Sequence, residues 1–197
     1  LVYRGIARFY TADATAGFVY GQSFPDLEWL TVGRTYGVPH SVIVFLVVAV
    51  IAWVVLHRSV FGRHLFAVGK NEEAARYSGV RSGRVIIGAY VICSGLTALS
   101  AIFFAMYTRS ISPSSHGNFY ELYAIAAAVL GGCSLRGGEG SIVGVVLGVI
   151  LLQVLQNLVN LLGIPSSLNF AVMGTVILIG VIADQQFARF RDRRRAA

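Results

Sequence analysis

A chain of 197 residues that is 56% hydrophobic and only 13% charged cannot cover itself with polar surface, which excludes an ordinary water-soluble globule and makes lipid the expected solvent. The formal net charge is +7, yet the basic residues gather in one polar island, Gly62 to Arg84, and in a tail, Arg189, Arg191, Arg193, Arg194 and Arg195. That asymmetry fits a membrane protein with basic cytoplasmic segments and argues against nucleic acid as a partner.

In chain order, the opening LVYRGIARFY reads as the end of an apolar helix. With no initiator Met and no signal-peptide pattern, a piece of a longer chain is expected. Phe9 to Pro39, with its Asp, Gly and Pro, is expected to be an external loop. Ser41 to Leu56 is the first clear apolar span. The island follows, and within it Asn71 can cap a helix whose first turn carries Glu72 and Glu73, where negative charge suits the dipole. Ala74, Ala75 and Arg76 are good helix formers and Gly79 is a natural stop, so the spacing predicts a helix of about two turns. A helix that short needs packing against its own domain or a partner.

Val85 to Tyr107 is long enough to cross a hydrocarbon core of roughly 30 Å. Leu122 to Cys133 is short for a full crossing and reads as a tilted span, a half-helix or a shielded segment. Gly131 to Ser141 (GGCSLRGGEGS) lacks the Gly-Lys-Ser/Thr ending of a phosphate loop and is not preceded by an expected strand, so it is read as a tight turn. Gly140, Gly144 and Gly148 continue at the small-xxx-small spacing that favours close helix packing in lipid. Ser141 to Leu162 is a span on which Gln153, Gln156, Asn157 and Asn160 recur at helical spacing, giving one polar face. Leu168 to Ile182 is the last span, and residues 185–197 form the basic tail. Cys93 and Cys133, both in apolar stretches, read as buried thiols, and no zinc-type Cys/His spacing occurs.

The positive-inside rule fixes the expected topology. With the island inside, Val85–Tyr107 exits; with the tail also inside, Leu168–Ile182 enters and Ser141–Leu162 exits. Leu122–Cys133 then has to cross, for five crossings in all. Twelve of the sixteen basic residues lie inside on this scheme, with Arg4, Arg8, Arg34 and Arg109 outside. The expected class is an all-α, polytopic helical bundle forming one transmembrane domain over residues 1–197.

Glu73-Ala74-Ala75-Arg76-Tyr77-Ser78-Gly79 fits the E-A-A-x-x-x-G core of the cytoplasmic loop of bacterial ABC importer permeases, without that motif's downstream Leu-Pro. Gly62-Arg63, Ala67-Val68-Gly69-x-Asn71-Glu72-Glu73, Ser78-Gly79-Val80, Tyr120-Glu121-Leu122-x-Ala124 and Leu130-Gly131-Gly132-x-Ser134 through Gly140-Ser141 follow in the order found in monosaccharide (ribose-type) permeases. From about Leu1 to Asp184 the chain resembles the C-terminal part of that family. The resemblance implies an inner-membrane, multi-pass subunit that hydrolyses nothing itself and needs no cofactor. It implies a second permease subunit (the same or a different chain), an ABC ATPase and a periplasmic sugar-binding protein as partners. Asn71, Glu72, Glu73, Ala74, Ala75, Arg76 and Gly79 become the ATPase-coupling helix within the loop 62–84. Arg63, Lys70, Arg76, Arg81 and Arg84 can pair with acidic groups on the ATPase or with lipid headgroups.

A sugar path needs amide and hydroxyl partners, so Gln153, Gln156, Asn157 and Asn160 are candidate pore lining, with plain interhelical hydrogen bonding as the competing reading. Glu121 sits at the outer end of its segment and can meet sugar or a binding protein, or simply be solvated. The rivals are a branched-chain amino-acid permease of the same broad family, a stand-alone channel or secondary transporter, and a nonfunctional remnant.

Overall fold

A computed structural model describes residues 2–18 and 24–163, with the single positions 171, 174, 175 and 178. The expected last span, Leu168–Ile182, and the basic tail lie outside the described residues, apart from those single positions. Among the described residues the chain is helical, with four strands of two residues each. Among the described residues three helices are long and apolar enough to cross a membrane: α3 (His40–Arg58), α6 (Ser82–Thr108) and α8 (Ile142–Leu161). Their bounds match the apolar runs to within a few residues, because an uncharged run of that length satisfies its backbone most simply as one helix. α7 (Tyr120–Leu130) has 11 residues. At about 16 Å it covers roughly half of a hydrocarbon core.

The chain divides into two compact units, residues 1–50 with 86–118, and residues 51–85 with 119–197. In the first unit, α1 (Val2–Thr11) falls mainly on the opening run expected to end a helix, and α2 (Pro25–Val32) lies within the stretch expected to be an external loop. α2 has Pro at its start and Asp26 and Glu28 in its first turn, the usual dress of a helix N-terminus. β1 (Ala16–Gly17) pairs antiparallel with β4 (Ser110–Ile111), and β2 (Arg34–Thr35) with β3 (Val38–Pro39). Arg4 donates to Asn118 Oδ1 and to the His116 carbonyl, and Arg109 meets Glu28 at 3.2 Å. His40 is buried. Its Nδ1 lies 2.6 Å from the Trp29 carbonyl and its Nε2 2.5 Å from the Thr35 hydroxyl. A carbonyl only accepts, so Nδ1 carries the proton.

In the second unit, α3 runs into Ser59, whose Oγ donates to the Val55 carbonyl and accepts from Gly62 N–H, and a further helix, α4 (Val60–Lys70), starts at once. α5 (Glu72–Tyr77) follows, then the start of α6. The polar island is therefore mostly helix and not a loop around one short helix. α7 and α8 pack as a hairpin over Ala126, Ala127 and Leu152, with Tyr123, Leu130 and Leu155 around them. Most of α3 and α6 is exposed. Apolar surface of that extent is expected to meet lipid or further spans. Cys93 shares this exposure on α6, so the expectation of a buried thiol there is corrected, while Cys133 is half-buried and both thiols are free.

Candidate functional site

Asn71 is the joint on which the candidate coupling helix is built. Its extended backbone (φ −160°) ends α4, with its N–H donating to the Ala67 carbonyl at 3.1 Å. Its side-chain Oδ1 opens α5 by accepting from Ala74 N–H at 3.0 Å. One residue thus caps the helix behind it and the helix ahead, and the change of direction falls on it. Lys70 closes α4 and Glu72 and Glu73 open α5, each on the favourable end of its helix dipole.

The far end of α5 is closed by Gly79 in the left-handed region (φ +85°). Gly79 N–H donates to the Arg76 carbonyl and Val80 N–H to the Ala75 carbonyl, both at 3.0 Å, which is the Schellman arrangement. The cap and stop expected at Asn71 and Gly79 are where α5 begins and ends. Ala75 is buried, while Glu72, Glu73, Ala74, Arg76 and Tyr77 are exposed. Tyr77 is 92% exposed and was absent from the expected coupling residues. Its aromatic ring on a helix otherwise made of charged residues and alanines was the available signal, since such rings are enriched where proteins dock.

A second feature the sequence did not disclose is Ser82. This buried side chain donates to Glu72 Oε1 at 2.9 Å and joins the start of α5 to the start of α6. Arg63, Lys70, Arg76, Arg81 and Arg84 are all exposed, and among the described residues none of the five has a carboxylate partner.

The glycine-rich turn lies in the same unit. α7 ends as α5 does, with Gly132 left-handed (φ +84°) and Cys133 N–H returning to the Ala128 carbonyl at 2.9 Å. The turn is then closed by Ser134 N–H to the Glu139 carbonyl and Gly137 N–H to the Ser134 carbonyl. A helix precedes this turn, which agrees with the exclusion of a phosphate loop. Beyond it the hairpin is close-packed: a methyl on Gly144 would lie 1.9 Å from the Gly131 carbonyl oxygen, and one on Gly148 2.1 Å from that of Ala127. The spacing of Gly144 and Gly148 thus marks a true backbone contact, while Gly140 precedes α8 and sits over Cys133.

On α8, the buried positions are Gly148, Leu152 and Val159. Gln156 is half-buried beside them, and Gln153, Asn157 and Asn160 are exposed on the flank away from α7. Among the described residues none of these four amides has a hydrogen-bond partner. Glu121 is exposed in the first turn of α7, where the dipole favours its charge. The structure brings the coupling residues and the glycine turn into one unit and leaves Glu121 and the amide face without contacts that assign them a role.

The family described as "Branched-chain amino acid transport system / permease component" matches residues 1–181. The chain is 38% identical over 186 residues to the ribose import permease protein RbsC of Escherichia coli, covering 94% of this chain and 58% of that protein. It is 40% identical over 188 residues to the RbsC protein of Bacillus subtilis, covering 94% and 56%. It is 31% identical over 182 residues to the autoinducer 2 import system permease protein LsrD of Photorhabdus luminescens, covering 92% and 53%. The chain therefore spans little more than half the length of these relatives. No solved structure matches it.

Proposed function

This chain belongs to the branched-chain amino acid transport system permease family, and from that premise we propose that it forms the membrane-spanning permease subunit of an ATP-driven monosaccharide importer. It is a transport subunit, resident in the bacterial inner membrane as a multi-pass protein, with ATP hydrolysis left to a partner chain. The observation that carries the reading is α5: a preformed helix with Glu73, Arg76 and Tyr77 exposed, in a chain 38% and 40% identical to two ribose import permeases. An ABC ATPase docks on that helix, a periplasmic binding protein delivers the sugar, and a second permease subunit completes the path. The relatives named above favour sugar over branched-chain amino acids, although the family's description carries the latter name.

Two contacts support the topology. Segments assigned outside pair with each other through β1 and β4 and through Arg109 and Glu28. Segments assigned inside also touch, since the end of α4 bears on the glycine turn: a methyl on Gly69 would stand 2.5 Å from Gly138 N. A turn that lies on the side of the island requires segment 122–133 to cross. α7 supplies about half of that crossing, its small residues shielded by α8, and the remainder runs as non-helical backbone, which is tolerated only against protein.

The mechanism is alternating access. The ATPase displaces α5, and the displacement reaches α6 through the Glu72–Ser82 hydrogen bond and the short 78–82 connection. Uncharged hydroxyls of the sugar exchange water for the amides of Gln153, Gln156, Asn157 and Asn160, and Glu121 stands at the outer mouth. The test is Glu73→Lys in the full-length permease, expressed with its ATPase: membrane insertion stays normal, while the ATPase no longer co-purifies and uptake is lost. Unchanged uptake would sink the docking assignment. Cargo is tested by thermal shift of the cognate binding protein with ribose, other pentoses, deoxyhexoses, autoinducer 2, leucine and valine; preference for leucine or valine would overturn the sugar reading.

A further inference from the structure

The glycine turn meets α4 at Gly69 and Lys70, the two residues before Asn71, where the coupling helix is hung. A methyl on Gly69 would stand 2.5 Å from the amide nitrogen of Gly138, and one on Gly137 would stand 2.8 Å from the Gly69 carbonyl oxygen. One on Gly138 would lie 2.7 Å from Lys70 Cγ and 2.8 Å from the Lys70 amide nitrogen. Between Gly69 and the Gly137–Gly138 pair backbone touches backbone, with the Lys70 side chain packed beside the contact. Gly137 and Gly138 both hold left-handed backbone (φ +87° and +75°), so they lack side chains for two reasons at once.

Beyond the corner with α3, two contacts tie the α4–α5 element at its joint. One is the hydrogen bond from Ser82 to Glu72, which leads only to α6. The other is this bearing, which reaches α7 and α8 through a turn closed by its own hydrogen bonds, and beyond it Gly131 lies against Gly144, and Ala127 against Gly148. Close-packed backbone is poorly compressible and passes displacement on, whereas a contact made by long side chains yields by changing rotamer.

We propose that Gly69, Gly137 and Gly138 form a rigid bearing that passes the displacement of α5 to the α7–α8 hairpin and its amide face, making them positioning residues for transport. The proposal rests on the assignment of α5 as the ATPase contact.

The test uses the full-length permease in proteoliposomes with its ATPase and binding protein, measuring ribose uptake and ATP hydrolysis together. Gly69→Ala is the chief variant: Gly69 lies inside α4 and alanine favours a helix, so the methyl is penalised only at the bearing. Ribose delivered per ATP falls roughly tenfold, within the usual range of coupling between sites, while the ATPase co-purifies as before. Gly83→Ala, at a helical glycine with nothing within 4 Å, leaves the ratio unchanged. Gly138→Ala reproduces the loss and replaces Gly69→Ala should that variant fail to reach the membrane. An unchanged ribose-to-ATP ratio in both overturns the bearing. Loss of ATPase co-purification in Gly69→Ala also overturns it, because the contact would then only shape the docking surface. A Glu73→Lys permease that still retains the ATPase defeats the α5 assignment separately, whatever the glycine variants do.

Discussion

The two compact units are held together by different chemistry. In the first, two short strand pairs are joined by side chains reaching across chain segments: Arg4 to the 116–118 stretch, Glu28 to Arg109, His40 to Trp29 and Thr35. In the second, backbones approach so closely that several glycines cannot accept a methyl. A side-chain tie can be replaced by water or a neighbouring group when it is lost. A backbone contact offers no such substitute, so the first unit is expected to absorb substitutions that the second cannot.

The sharpest way to break this contrast is Gly144→Val. Overpacking usually costs 1–3 kcal/mol, and here the opposing atom is a carbonyl oxygen that cannot turn aside, so about 3 kcal/mol or more is expected. Thermal unfolding in detergent measures it; an unaltered melting temperature would show that α7 and α8 can slide apart. His40→Ala is intermediate. It takes one of two donors from the Trp29 carbonyl, which keeps Gly33 N–H, and removes the partner of the Thr35 hydroxyl, so a loss of about 1–2 kcal/mol is expected in the same assay. Arg109→Ala should be the mildest, below about 1 kcal/mol and smaller still at high salt, since half-exposed ion pairs contribute little. If it exceeded the glycine variant, the distinction between the units would be wrong.

The apolar runs made α3, α6 and α8 readable in the sequence, because no other backbone arrangement suits twenty uncharged residues in lipid. α5 was readable from chemistry that acts locally: an asparagine that caps, two acids in the first turn, a glycine that ends the helix. α4 was hidden because Gly62 and Gly69 depress helix propensity. Its own signal was Ser59 as cap with Phe61, Leu65 and Val68 at helical spacing. Both glycines serve tertiary contacts: a methyl on Gly62 would fall 1.9 Å from the Leu56 carbonyl at the α3–α4 corner. The partnership of Glu72 with Ser82, and of Gly69 with Gly137 and Gly138, joins residues too far apart in sequence for any periodicity to announce. α2 and the β2–β3 hairpin escaped because Asp, Gly and Pro there were taken for loop chemistry, when several of them mark helix starts and turns.

The double capping of α5 has a thermodynamic consequence for whatever binds it. Each residue ordered on association costs on the order of 1 kcal/mol or more of backbone entropy. With Asn71 fixing one end and Gly79 the other, the six residues from Glu72 to Tyr77 are already ordered before a partner arrives. Recognition should therefore resemble the meeting of two rigid bodies and lack the large negative heat-capacity change of coupled folding and binding. More of the contact energy that Tyr77 and its neighbours can supply would then remain for affinity.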